Sequence, residues 1–507
     1  MSDELAAALI GAAGVVTGIL ARYLYDFFKE RREGGEKAAG KAIEILTGRF
    51  NRADDPAERD AIERLLREIG NDYLPYLQKK MARIIKASRD VVGDLAPTGA
   101  IAPDMPDLSP SDREALGRAA ATIAALDPPK TVEDLFLQGN AFYAAGQFDK
   151  ALSQFNMALE LAPDNPTNLT NRGAALAKLE RRDEALADYN RSLELRPDDP
   201  STLYNRGITY SNLERLDKAL ADYNRSLELR PDDPRTLNNR GITYSDLERY
   251  DEALADYNRS LELRPDAPDT LNNRGNTLSK LGRDQEALID YDHALKLHPD
   301  EADFLNNRAH SLTSLHRHED AVVDFTRSLE LRPDHPPTLS ERGTALYELG
   351  RYQDALAGFN RSLELHPDHP TTLMNRGATL DQLEHYVEAL ADFNRALELR
   401  PDDATTLNNS GITLDHLDRT GDALEMYARA IDVEPQQVLW RLNRASVEVK
   451  LDNLSAAQAD LDWALENGDL GNFRRDFAAR AREHPYFEPL RADPSLRDRF
   501  NRILGSD

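Results

Sequence analysis

The fourteen residues ADYNRSLELRPDDP occupy positions 187–200 and return unchanged at 221–234, a displacement of 34 residues. A segment copied so faithfully marks an internal repeat, and repetition at a fixed period is how a chain is assembled from one supersecondary unit stacked many times. Proline recurs at 163, 197, 231, 265, 299, 333, 367, 401 and 435. Counting back from these prolines divides 132–471 into ten windows of 34 residues.

The windows agree in more than proline. The eighth position is Gly139, Gly173, Gly207, Gly241, Gly275, Ala309, Gly343, Gly377, Gly411 and Ala445; the twentieth is always Ala, from Ala151 to Ala457, and the twenty-seventh is always Ala or Ser. Small residues at these places let two helices approach closely, while Leu135, Leu169 and Leu203 at the fourth position and Phe155, Tyr189 and Tyr223 at the twenty-fourth fill the seam. Asp-Pro at 199–200 and 233–234 supplies an N-cap followed by proline in the first helical position, and Thr131 with Asp134 predicts a capping box at the start of the first window. Each window therefore reads as helix, turn, helix.

Gly or Ala at position 8, Ala at 20, Tyr or Phe at 24, a small residue at 27 and Pro at 32 together resemble the tetratricopeptide repeat, over about two thirds of the chain. The resemblance implies an all-α fold, a right-handed superhelical solenoid over 132–471 whose inner groove takes a protein or peptide partner. The last window departs from the pattern, with Arg441 in place of Leu and Asp469 in place of proline. The stretch 472–507 is expected to cap the array, and 472–504 reads as an amphipathic helix laid over the final hairpin.

At the sixth position stand Asn171, Asn205, Asn239, Asn273, Asn307, Glu341, Asn375, Asn409 and Asn443. In proteins of this resemblance that position lines the groove, where an amide can pair with both the N–H and the C=O of an extended peptide. The same asparagines also suit purely local hydrogen bonds, and both readings stand at this level. The fifth position holds no Lys or Arg in windows one to nine, which argues against a clamp for a partner's C-terminal carboxylates. Arginine at position seven and aspartate at position twenty-three, as in Arg172 with Asp188, predict ion pairs within and between repeats.

Composition narrows the function. The net charge is −26, yet residues 1–94 carry as many basic as acidic side chains, so the deficit lies wholly beyond them. Such an acidic body repels phosphates and argues against nucleic-acid binding. The chain has no cysteine, hence no disulfide, thiol nucleophile or sulfur-ligated zinc. Its eleven histidines fall in turns and on polar faces without ligand spacing, and no nucleophile elbow, phosphate loop or dinucleotide motif is present. Neither catalysis nor a cofactor or metal site is expected.

Ahead of the repeats, Leu5–Ala21 is an uncharged, mostly apolar run of 17 residues, roughly 26 Å long as a helix and at the short limit for crossing a bilayer. Arg22, Lys29, Arg31 and Arg32 follow it, which orients the repeats toward the cytoplasm beneath an inner membrane. Ala7, Gly11, Gly14, Gly18 and Ala21 form one small-residue stripe that permits close helix contact and self-association. The segments that follow read as a small helical domain (34–92), a proline-rich linker (93–112) and a leading helix (113–131).

The principal expectation is a non-enzymatic scaffold anchored through 1–33 that holds a protein partner in its groove. Two alternatives are a membrane-active effector of a bacterial defence or cell-death system, triggered by partner sensing or linker cleavage, and a soluble self-assembling repeat protein. The anchor is tested by alkaline extraction of membranes. The full-length chain is expected to stay in the pellet while a version lacking residues 1–33 washes free; release of both would assign the glycine stripe to a protein contact.

Overall fold

The computed structural model describes residues 131–468 and 484–505, with positions 113, 117 and 470. The proposed membrane helix (1–33) with its stripe from Ala7 to Ala21, the small helical domain (34–92) and the linker (93–112) lie outside the described residues. Among the described residues every regular element is helical.

The chain divides into two compact units at Pro265 and Asp266. In the first, four hairpins run through α1 (Val132–Ala144), α2 (Phe148–Leu161), α3 (Pro166–Lys178), α4 (Arg182–Leu195), α5 (Pro200–Ser211), α6 (Leu216–Leu229), α7 (Pro234–Asp246) and α8 (Tyr250–Leu263). The second holds six more: α9 (Pro268–Lys280), α10 (Asp284–Leu297), α11 (Ala302–Ser314), α12 (His318–Leu331), α13 (Pro336–Glu348), α14 (Tyr352–Leu365), α15 (Pro370–Gln382), α16 (Tyr386–Leu399), α17 (Ala404–His416), α18 (Thr420–Val433), α19 (Val438–Lys450) and α20 (Leu454–Asn467). Odd-numbered helices open the repeats and even-numbered helices close them.

Local chemistry sets the helix starts. Asn165, Asp199 and Asp403 each accept a hydrogen bond from the backbone N–H three residues on, and Thr131 and Asp134 close the reciprocal capping box. Within each hairpin the first helix ends in a left-handed residue at position fifteen. In repeat two, Glu180 has φ of 62°, its N–H donates to Ala177 O, and the N–H of Arg181 donates to Leu176 O at 2.9 Å. This double closure satisfies two terminal carbonyls and reverses the chain. Only Gly146, Gly282 and Gly350 adopt it without a side chain; Glu, His or Asp occupies the other seven turns.

Packing within a hairpin turns on one contact. A Cβ on Gly207 would lie 2.6 Å from the ring of Tyr223, and one on Gly139 2.4 Å from Phe155. The rings of Phe155, Tyr189, Tyr223, Tyr257, Tyr291, Phe359, Phe393 and Tyr427 are fully buried against such glycines. Each large side chain so buried contributes roughly 1.5–3 kcal/mol. The small residue at position twenty-seven has its own reason: Ser192, Ser226, Ser260 and Ser362 donate to the carbonyl of the proline that opens their repeat, at 2.8–3.0 Å.

The described end of the array, expected to cap it, is built from short helical pieces. Over 484–504 the chain forms a 3-10 turn at Pro485–Phe487, then α21 (Glu488–Ala492) and α22 (Pro494–Leu504). Proline at 485 and 494 forbids one uninterrupted helix, and Asp493 caps the restart by accepting from the N–H of Ser495. Leu490, Leu496, Phe500 and Ile503 bury themselves against Leu442, Ala445 and Leu461 of the last hairpin, so capping is achieved by shorter pieces. Arg441, in the place of a seam leucine, lies 3.7 Å over the ring of Trp463 and reaches Asp460 at 3.3 Å.

The strained turns give a direct test. Replacing Glu214 or Glu248 by Gly is expected to raise stability by roughly 0.5–1 kcal/mol, since the left-handed penalty on a side chain exceeds the extra freedom of glycine in the unfolded chain. An unchanged or lower urea midpoint would count against this account of the turn.

Candidate functional site

The sixth-position asparagines sit on the first helix of each repeat. Asn171, Asn205 and Asn443 are buried, and Asn239, Asn273, Asn307, Asn375 and Asn409 are half-buried. The amide nitrogens of five of them reach sideways to the repeat before. Asn171 donates to Asn140 Oδ1 at 2.9 Å, Asn239 to the Tyr204 hydroxyl at 2.9 Å, and Asn307 to Asn272 Oδ1 at 2.9 Å. Asn375 donates to Thr344 Oγ1 at 3.0 Å and Asn443 to Asn408 Oδ1 at 2.7 Å. These five asparagines thus join neighbouring first helices through their nitrogens.

The predicted ion pairs form. Arg206 Nη2 and Nε hold the two oxygens of Asp222 at 2.6 and 2.7 Å, and its Nη1 donates to Asn190 of the preceding repeat at 2.8 Å. The same fork joins Arg172 to Asp188, Arg240 to Asp256, Arg274 to Asp290, Arg308 to Asp324, Arg376 to Asp392 and Arg444 to Asp460. The aspartates are nearly buried, so the two parallel bonds compensate the desolvation of each charge. Outer arginines such as Arg225, bound to Glu228 and Asp198, are exposed and contribute little.

In repeat seven, Glu341 replaces the ladder asparagine. Burial pushes its carboxyl above the ordinary value, with His310 and His335 acting in the opposite sense.

A half-open cavity of about 260 Å³ stands on the first-helix face of the second unit, between α13, α15, α17, α19 and the 3-10 turn. Tyr347, Phe393, Ile412, Leu439, Tyr486 and Phe487 provide apolar wall, and Asp381, Asn408, Asn409, His416 and Asn443 provide polar groups. The turn is fixed in place by a 2.6 Å hydrogen bond between the Tyr427 and Tyr486 hydroxyls and by Ser446 Oγ donating to Tyr486 O. Asp381 accepts from Thr413 Oγ1 at 2.6 Å and meets His416 Nδ1 at 3.3 Å, while the ring of Tyr386 lies 4.8 Å from that of His416. At the rim, burial first and then the positive Arg491 push His484 below its ordinary value.

Sequence reasoning placed Asn409 and Asn443 on this face but did not find the cavity. The available signals were aspartate at the twelfth position of repeats eight and nine, Asp381 and Asp415, and the Pro-Tyr-Phe segment at 485–487. Among the described residues no group of His, Asp and Glu is placed to hold a metal ion. His369, in one of the turns, caps α15 by accepting from the N–H of Thr372. Among the described residues no helix is long and apolar enough to cross a membrane.

Removal of the buried charge at Glu341 should be measurable. Because its folded pKa is raised, the wild-type chain loses stability as pH rises through that value, whereas an amide does not titrate. Glu341→Asn is expected to raise the thermal midpoint at neutral pH, and the advantage should fade below the ordinary carboxyl value of 4.5. A pH-independent difference would remove desolvation as its cause.

Models of the tetratricopeptide repeat match residues 139–180, 172–236, 207–270, 268–301 and 337–402. No curated protein matches the sequence. Among solved structures, a tetratricopeptide repeat protein from Parabacteroides merdae is similar at 21% identity and a TM-score of 0.40, covering 49% of this chain and 98% of that one. YrrB, described as a TPR protein with an unusual peptide-binding site, is similar at 23% identity and a TM-score of 0.32, covering 36% of this chain and 95% of its own. PilF of Pseudomonas aeruginosa is similar at 19% identity and a TM-score of 0.37, covering 45% of this chain and 96% of its own. With its helix pairs at a period of 34, the glycine-on-ring contact in most of its hairpins and these family matches, the chain belongs to the tetratricopeptide-repeat proteins.

Proposed function

We propose that this chain is a scaffold that binds a protein partner, with the cavity between α13, α15, α17, α19 and the 3-10 turn as the anchor point for an extended segment of that partner. The observation that carries the reading is the cavity itself: about 260 Å³, apolar on most sides, with amides of Asn408, Asn409 and Asn443 at its wall. Pockets for whole drug-sized ligands begin at roughly 300 Å³. A smaller, mostly apolar one suits one or two side chains of a peptide, and amides at its edge suit the peptide backbone.

The membrane belongs to the same proposal. Leu5–Ala21 would hold the scaffold at the inner membrane with the repeats in the cytoplasm, and its small-residue stripe would let copies associate. Concentrating a partner at a surface raises the effective concentration of whatever else is anchored there.

Ala378 lines the cavity and is half-buried, so Ala378→Phe is expected to fill it and weaken partner binding by at least roughly tenfold, about 1.4 kcal/mol. A diazirine side chain at Ile412, in the cavity, should cross-link the partner in cells, whereas one at the exposed Val387 of α16 should not. Equal labelling from both positions would sink the assignment.

A further inference from the structure

The arginine at position seven and the aspartate at position twenty-three are kept or lost together in nine of the ten repeats. Seven repeats keep both. Repeat one has Gln138 and Gln154, and repeat nine has Ser410 and Met426, so there the charges vanish as a pair. Repeat seven breaks the rule: Arg342 remains, but Gly358 stands where the aspartate belongs.

Its second hydrogen bond is missing too. Arginines of other repeats donate Nη1 to Asn156, Asn190, Asn224, Asp292 or Asn360 of the preceding second helix; the corresponding residue for Arg342 is Thr326. Among the described residues Arg342 meets no acceptor, and its Nε is buried. The carboxylate that acts on it through space, Asp354, is already held by Arg351 at 2.6 Å. Burial accordingly pushes the Arg342 guanidinium below its ordinary value, whereas the hydrogen bond donated to aspartate raises Arg172, Arg206, Arg274, Arg308 and Arg444. A half-buried cation stripped of both these hydrogen bonds, in a chain of net charge −26, is an uncompensated site rather than a structural tie.

We propose that Arg342 and the space left by Gly358 form a carboxylate-binding site, in which an Asp or Glu side chain of a bound protein partner takes the place that an internal aspartate takes in the neighbouring repeats. The assignment of a protein as the source rests on the scaffold reading above. A carboxylate fits for two reasons. In the adjoining repeats Asp324 and Asp392 stand at the equivalent position and are held by Arg308 and Arg376, and a Cβ on Gly358 would lie 3.2 Å from the carbonyl oxygen of Leu339. The fixed guanidinium fork matches two carboxylate oxygens, and the negative body opposes a dianion more than a monoanion.

The test uses the full chain with ¹⁵N-labelled arginine and follows the Nε–Hε resonance of Arg342, identified by its loss in Arg342→Gln. Sodium acetate is titrated at constant ionic strength, with inorganic phosphate as the second probe. The expected result is a saturable shift of that one resonance with acetate, abolished in Gly358→Asp, where the internal partner is restored. No shift, or a shift retained in Gly358→Asp, would overturn the site; saturation by phosphate at lower concentration than acetate would overturn the carboxylate assignment. Because no partner is present, the titration can fail while cross-linking at Ile412 succeeds, or the reverse, so the two readings are separable.

Discussion

An aromatic ring lying directly on the backbone of a facing helix is the contact on which the rest depends. Glycine at position eight removes the methyl group that would strike the ring at position twenty-four, as Gly207 does for Tyr223. Once the helices are that close, Ser226 can reach the carbonyl of Pro200, and Arg206 can reach both oxygens of Asp222. These polar bonds are consequences of the approach, because hydrogen bonds weaken steeply with distance and misalignment. The approach itself is driven by burial of the ring and the seam leucines.

A repeated unit solves a problem that a single hairpin cannot. Each hairpin has two faces to cover, and a neighbour of the same sequence presents the complementary groups at a fixed offset. The lateral bonds of Asn171, Asn239 and Asn307, and the donation of Arg206 to Asn190, all join one repeat to the one before it within its own unit. Such bonds make each repeat's polar groups depend on its neighbour.

Departures from the repeat carry the chemistry. Glu341, Arg342 with Gly358, Asp381 and Asp415 all lie in repeats seven to nine, and the cavity is built over the same stretch. Local rules are broken most often where function or strain replaces stability as the constraint. Asp415, nearly buried, is answered by Lys450 at 2.6 Å, and Asp381 by Thr413 and His416; Arg342 has no such answer among the described residues. The contrast separates polar groups that finish the fold from one that is left for a ligand.

The sequence by itself determined the repeat, its period, the helix starts at Asp-Pro, the glycine-on-ring seam and the arginine–aspartate pairs. Each is a local or fixed-offset property, so it survives in a one-dimensional string. Two matters were decided only once the chain folded, the first locally and the second by tertiary structure. The left-handed residue at position fifteen is Glu, His or Asp in seven repeats, so no glycine signals it; the two closing hydrogen bonds impose it. The cavity gathers Tyr347, Ile412 and Tyr486 from segments far apart in the chain, and proline at 485 and 494 breaks the terminal helix so that Tyr486 can meet Tyr427. Proximity of that kind has no period, and only the packed chain supplies it.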